Sequence, residues 1–317
     1  MDRSRNSRWF SCLLAAALLA FGITARARQA HPLQNPLAAQ LAAKLQADLH
    51  RVAAGLDGSI GIYAENLQTG QSFSLHAGQT FPQASSIKIP LLIALLRQDQ
   101  QGRLHLTDRV QVRRSQMVGG SGVLQTFGDG TSSLALRDLA ALMVVLSDNS
   151  ATNILIDRVG MDRVNAFLKT QGLDHTRLNR KMIDQAAERA GRENISTPRE
   201  MATLLARLER GKLLDRAHTA TALSLLEDYK ETPLRAGLPP GLRVADKPGS
   251  LSGVRCDSGI VFLDGSPYVL SVMTAYDRDA AAAGDAITAV SRAVFSYFDR
   301  IARSNSFGVL VHPPASP

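Results

Sequence analysis

Apolar residues recur at helical spacing through Leu41, Leu45, Leu49 and Val52, which predicts an amphipathic helix over 36–55 ended by Gly55. The period then shortens to two strand-like runs, 59–66 and 71–76, with Thr69-Gly70 supplying a hairpin turn. A strongly apolar helix is predicted over 85–101, carrying Ile87, Ile89, Leu91, Leu92, Leu95 and Leu96. Helical runs follow at 134–146, 150–159 and 162–171, the first two separated by Ser147-Asp148-Asn149. The stretch 174–196 is polar and has no clear period. Ser196-Thr197-Pro198 then signals a helix over 198–209, and another is predicted over 217–228. Strand character returns at 242–246, 259–263 and 268–274 between Gly and Pro turns, and a long helix over 280–301 closes the pattern.

Strands near both ends with helices between them predict an α+β fold. Two N-terminal and about three C-terminal strands form one antiparallel sheet, covered by the first and last helices. A helical lobe of about 85–228 is inserted into this α/β lobe, and a cleft is expected where the two meet. The expected catalytic domain spans 28–305, followed by a loose Pro-rich tail over 306–317.

The N-terminus reads differently. Arg3, Arg5 and Arg8 precede an apolar run from Trp9 to Thr24 and the small-x-small site Ala25-Arg26-Ala27, the pattern of a signal peptide over 1–27. The run is shorter than the roughly 20 residues a spanning helix needs, so no stable membrane insertion is expected after cleavage. Export places the protein in a secreted, periplasmic or extracellular setting. Cleavage would remove four arginines and one aspartate, lowering the formal charge from +8 to +5. The remaining basic residues are scattered among acids, without the dense stripe or module of a nucleic-acid binder. Of the two cysteines, Cys12 leaves with the leader, so Cys256 has no disulfide partner and reads as a small buried hydrophobe. Nothing points to an interaction segment, and a monomer is expected.

Three short motifs carry chemistry. In Ser85-Ser86-Ile87-Lys88, residues three apart share a helical face, so the lysine reaches toward the serine hydroxyl. A helix start favours a developing negative charge at Ser85, and a lysine among Ile87, Ile89, Pro90 and Leu91 is desolvated enough to act as a base. About one such match is expected by chance in a chain of this length, so alone it also fits an ordinary capping serine. Ser147-Asp148-Asn149 breaks an apolar helical run with three polar residues that must be satisfied or face a cleft. Lys247-Pro248-Gly249-Ser250 follows the strand 242–246, where a lysine and a glycine present a charge and a closely approaching backbone.

Taken in this order, the three motifs resemble the S-x-x-K, S-D-N and K-T-G signature of class A β-lactamases and penicillin-binding proteins. The resemblance covers nearly the whole exported chain and includes Ala245-Asp246-Lys247. It implies the β-lactamase-like arrangement of the two lobes. It also implies that Ser85 attacks an acyl carbonyl, with Lys88 as base or proton relay and Ser147 passing a proton to the leaving nitrogen. Asn149 would hold the substrate's side-chain amide, and Lys247 would support Ser147 and attract the substrate carboxylate. Gly249 would bring the backbone close, and the N–H groups of Ser85 and Ser250 would form an oxyanion hole. No metal or cofactor is implied, and the histidines show no ligand spacing.

Two positions depart from the family. Anchored on Arg180, the place of the deacylating glutamate is held by Met182 and that of its companion asparagine by Ala186. Asp184 and Glu188 are the nearest carboxylates; Asp184 either turns inward as a substitute base or pairs with Arg180 or Lys181. Pro248 replaces a hydroxyl residue, a loss that Ser250 or Arg255 would offset. The expectation is a serine β-lactamase-like hydrolase acting through an acyl-enzyme on Ser85, with slow deacylation. The alternatives are a D-alanyl-D-alanine peptidase or other envelope acyl hydrolase, and a penicillin- or peptidoglycan-binding protein without turnover. The expected partner is a small β-lactam or peptidoglycan-like peptide.

Overall fold

The computed structural model describes residues 35–311. The expected leader and its cleavage point lie outside the described residues, as does the end of the tail.

Asn35 caps the first helix, α1 (Pro36–Gly55): its side chain accepts from Leu37 N, and Pro36 occupies the first turn, where no N–H is needed. The chain continues through β1 (Ser59–Asn66), β2 (Ser72–Leu75) and the short β3 (Phe81–Pro82) into a 3-10 turn, Ala84–Ile87. The helical lobe begins with α2 (Lys88–Gln100) and a ribbon of β4 (Arg109–Gln111) with β5 (Ser133–Ala135). It goes on through α3 (Leu136–Val145), α4 (Asn149–Val159), α5 (Met161–Thr170) and the single-turn α6 (Gln185–Arg189). Then come β6 (Ile195–Ser196), paired with β3, and α7 (Pro198–Glu209) and α8 (Arg216–Glu227). A four-residue α9 (Pro233–Ala236) leads into β7 (Val244–Leu251), β8 (Val254–Val261), β9 (Tyr268–Ala275) and α10 (Ala280–Ala302).

The main sheet is antiparallel, in the spatial order β2-β1-β9-β8-β7. Both its faces are covered. One packs on α1 and α10 through Leu45, Leu49, Ile62, Phe73, Tyr268 and Phe298; the other packs on the helical lobe through Tyr63, Phe81, Ile260 and Met273. That double burial explains why Ile60–Ala64 and β9 are buried along their length, without the alternation of a half-exposed strand.

Three local features differ from the sequence reading. The nucleophile segment does not enter α2 directly: residues 84–87 wind as a 3-10 turn and the α-helix begins at Lys88. The third motif lies inside β7 and not after it, because β7 is the edge strand, where proline is tolerated. β7 and β8 meet through the two-residue turn Ser252-Gly253, with Gly253 at φ +69°, so β8 starts five residues earlier than its apolar pattern suggests. Past α10, Ser304 bridges to Leu310 and Asn305 N donates to Val309 O, closing a turn at the end of the described residues.

Candidate active site

Ser85 sits where the helical lobe meets β7. The residue before it, Ala84, is held at φ +45°, a conformation that costs a non-glycine residue about 1–3 kcal/mol and persists only under outside constraint. The constraint is visible. Gln83 N donates to Asn194 O at 2.8 Å, Ser86 Oγ donates to Lys247 O at 2.9 Å, and the buried Cys256 thiol donates to Gln83 O at 3.0 Å. Burial pushes that thiol up to about 12, so it acts as a neutral donor and small packing group. Gly249 completes the contact. A Cβ there would lie 2.6 Å from Gln83 O, 2.7 Å from Cys256 Sγ and 2.9 Å from Ser85 N. Only a bare backbone lets β7 lie this close to the serine turn.

Lys88 is completely buried one turn below Ser85. Its Nζ donates to Ser147 O at 2.7 Å, Ser147 Oγ at 3.0 Å and Asn149 Oδ1 at 3.1 Å, so all three ammonium protons go to the second motif and none to the Ser85 hydroxyl. Burial holds Lys88 well below the usual lysine range; the Lys247 charge adds to this and Asp148 opposes it. Lys247 Nζ donates to the same Ser147 Oγ at 3.1 Å and to Pro248 O at 3.2 Å. Burial, with the Lys230 charge, brings Lys247 down to about 8. A buried lysine relieved of its proton becomes an acceptor, the state in which Lys88 could take a proton from a neighbouring hydroxyl.

The second motif is positioned by Asp148, which caps the helix that follows it. Its Oδ1 caps α4 at Ala151 N (2.8 Å), and its Oδ2 accepts from Val123 N (2.6 Å) and Leu124 N (2.8 Å). Ser147 consequently turns at φ +53°. The segment 118–124 lies along the motif: Asn149 Nδ2 donates to Gly119 O at 3.1 Å, and Asn149 N donates to Ser121 O at 3.1 Å. Gly122, at φ +105°, has no room for a side chain, since a Cβ would fall 2.2 Å from the Asp148 carboxyl.

Across the cleft, the polar stretch 174–196 forms the opposite wall. Asn153 on α4 clamps Met182 through both backbone groups, accepting from its N at 2.7 Å and donating to its O at 3.1 Å. Met182 is buried, with 7% of its surface exposed. Arg180 is buried against Glu193 at 2.9 Å and Lys181 pairs with Asp157, so neither pairs with Asp184. Asp184 caps α6 through Ala187 N at 2.9 Å and does not line the cleft. Glu188 does line it. A cleft of roughly 180 Å³ is bounded by Ser85, Asn149, Ser250 and Leu251 on one side and Met182, Ile183, Glu188 and Glu193 on the other. A larger surface hollow, roughly 710 Å³, lies beside the start of β7 between Tyr229 and Val244 and contains none of the motif residues.

Ser250 is exposed at the β7 rim, and its cross-strand partner Arg255 donates from Nη1 to the Ser250 hydroxyl. This places a guanidinium beside the edge from which the family's hydroxyl is missing. Among the described residues there is no group of three or more His, Cys, Asp or Glu able to hold a metal ion, and no helix long and apolar enough to cross a membrane.

The geometry thus brings Ser85, Lys88, Ser147, Asn149, Lys247, Gly249 and Ser250 to one junction and leaves Asp184 outside it. Sequence reading missed the brace of Ser86 and Cys256, the Asn153 clamp and the 118–124 wall. Gly119-Gly120-Ser121-Gly122 and the polar Thr152-Asn153 step just before Ile154-Leu155-Ile156 were the available signals.

Residues 42–298 match the family model described as the β-lactamase enzyme family. An imipenem-hydrolysing β-lactamase of Enterobacter cloacae is 30% identical over 250 residues, covering 76% of this chain and 85% of that protein. The β-lactamase SME-1 of Serratia marcescens is 27% identical, covering 82% and 88%. Among solved structures, PBP-A superposes with a TM-score of 0.75 at 30% identity, covering 81% of this chain and 96% of that one. A leucine-to-glutamate variant of PBP-A, solved as an acyl-enzyme complex with penicillin G, superposes equally well, with a TM-score of 0.75. Motif order, two-lobed fold and family match agree, and the chain belongs to the class A β-lactamase family.

Proposed function

We propose that the protein is a serine hydrolase of β-lactams that acylates readily at Ser85 and releases the acyl group slowly. The observation carrying this reading is the pairing of a complete acylation cluster with a side chain at Met182 that accepts no proton. In the acylation step Ser85 Oγ bonds to the lactam carbonyl carbon. Its proton passes to Lys88, once neutral, directly or through Ser147. As the ring C–N bond breaks, the Ser147 hydroxyl gives its proton to the leaving nitrogen and takes one back from the Lys88 ammonium, 3.0 Å away, so that both groups end the step as they began. The N–H groups of Ser85 and Ser250 take the developing oxyanion, and losing one such donor costs roughly 3–4 kcal/mol. Lys247 and Arg255 attract the substrate carboxylate. Release needs a water stripped of its proton beside the ester, a service worth about 10²–10⁴-fold in rate that methionine cannot perform.

The same observation favours a second reading, a D-alanyl-D-alanine peptidase or a penicillin-binding protein without turnover. The likeness to PBP-A supports it. Stopped-flow hydrolysis of a chromogenic cephalosporin separates them. A burst of about one equivalent followed by slow steady turnover supports the β-lactamase reading. A burst with no steady phase, with D-alanine released from a peptide ending in D-alanyl-D-alanine, supports the second.

A further inference from the structure

One wall of the cleft carries chemistry that acyl transfer does not use. Glu188, in the single turn of α6, is exposed and lines the cleft beside Met182 and Ile183. The neighbouring carboxylate, Glu193, is engaged by Arg180 at both Nε (3.0 Å) and Nη2 (2.9 Å). The Glu188 carboxylate has no such partner among the described residues. Arg180 is buried and committed to Glu193, so it does not pair with Glu188. Ile183 adds an apolar face. It is a β-branched residue held at φ +60°, yet 45% exposed, and its Cδ1 reaches toward Gly120 on the opposite wall, 3.4 Å from where a Cβ would stand. Backbone strain that places an apolar side chain at a cleft mouth gathers where a surface is used.

Charge is therefore divided along the cleft. Lys247 and Arg255 put positive charge at the β7–β8 end, suited to a substrate carboxylate. The end between Asn149 and α6 offers the Met182 and Ile183 side chains and then a free negative charge. We infer that Glu188 is a specificity residue that favours substrates whose acyl side chain bears a cationic amine, with the apolar stem lying on Met182 and Ile183. The inference rests on the proposed acylation of Ser85 and adds the substrate class. An exposed ion pair discriminates modestly, by about three- to fivefold, and is screened by salt.

Ampicillin and benzylpenicillin differ by one α-amino group, which is charged at about pH 6. The test compares their second-order rate constants for adduct formation on the purified protein by intact mass, as a ratio within each preparation. That ratio does not depend on how much of a variant is folded. In the wild type it should exceed that of Glu188→Gln by about three- to fivefold at low salt, and the difference should shrink in about 0.5 M salt. Glu188→Lys should drive the ratio below that of Glu188→Gln. Equal ratios in all three proteins overturn the inference. So does a Glu188→Gln effect confined to adduct loss, which would make Glu188 a base acting on water. If neither penicillin labels the wild type, the Ser85 reading itself fails and this inference falls with it.

Discussion

Lys88 and Lys247 share one acceptor: their ammonium nitrogens lie 3.0 and 3.1 Å from Ser147 Oγ. Two donors occupy both lone pairs of that hydroxyl, so its own proton must point elsewhere, free for a leaving group. The arrangement also sets two titrations in one buried cluster. Acylation should rise with pH as Lys88, depressed by burial and by the Lys247 charge, gives up its proton. It should fall again near pH 8 as Lys247 loses its charge and its hold on the substrate carboxylate. The second-order labelling rate by benzylpenicillin across pH should therefore be bell-shaped. In Lys247→Arg, whose guanidinium stays charged, the falling limb should disappear even if the maximum is lower. A falling limb kept in Lys247→Arg would assign that limb to another group.

Asp148 serves three backbone N–H groups at once, on α4 and on the 118–124 segment. Asp148→Asn keeps one acceptor oxygen and turns an amide donor toward at least one N–H. Each buried donor left unpaired costs about 1–3 kcal/mol. The melting temperature should drop, and proteolysis should begin within 118–124. Stability within about 0.5 kcal/mol of wild type would show that the segment is held by other contacts.

At Gly249 one added methyl meets Gln83 O, Cys256 Sγ and Ser85 N, all closer than 3.0 Å. Overpacking of this kind costs about 1–3 kcal/mol. Relief by moving β7 away from Ser85 would pull apart the two N–H groups proposed to bind the oxyanion. Gly249→Ala should lower the acylation rate by about 10²-fold while the protein stays folded by circular dichroism. A wild-type rate would mean that Ser85 N and Ser250 N do not act together.

Asp257 lies opposite Pro248, fully buried, with Oδ2 accepting from Leu234 N at 3.0 Å and Oδ1 unpartnered. Burial raises its pKa, and the Asp246 carboxylate raises it further. A carboxyl raised in the folded state holds its proton more tightly there than when unfolded. Its contribution is fully present below the unfolded value of about 4 and is lost as pH rises through the folded value. Asp257→Asn keeps an acceptor for Leu234 and carries no charge to be exposed. Melting temperatures from pH 4 to 9 should fall more steeply for wild type than for the variant; parallel curves would leave Asp257 with no part in the pH dependence.

Much of this was legible in the chain. The order of elements follows from hydrophobic period; helix 36–55 ends where Gly55 places its end, and helix 198–209 begins where Thr197-Pro198 places its start. The motif residues converge because each sits at an element boundary or edge that the fold brings to one junction. What the pattern did not carry was tertiary in origin. Pro248 and Gly249 read as a turn because the protection of an edge strand is not a local property. Cys256 read as filler because its acceptor, Gln83 O, lies 173 residues away. Whether Asp184 turns inward depended on the path of the segment 174–196, fixed by Asn153, Asn194 and the Arg180–Glu193 pair.

Acylation at Ser85 with release limited by Met182 would show in a time course of intact mass after brief exposure to benzylpenicillin. One adduct per chain should form and persist, map to the peptide containing Ser85, and be absent in Ser85→Ala. In Met182→Glu the backbone clamp of Asn153 should hold the new carboxylate at the cleft, so the adduct should decay at least about tenfold faster. An adduct in Ser85→Ala like that of wild type, or wild-type protein that neither forms an adduct nor consumes the drug, would mean that Ser85 is not the nucleophile for these drugs.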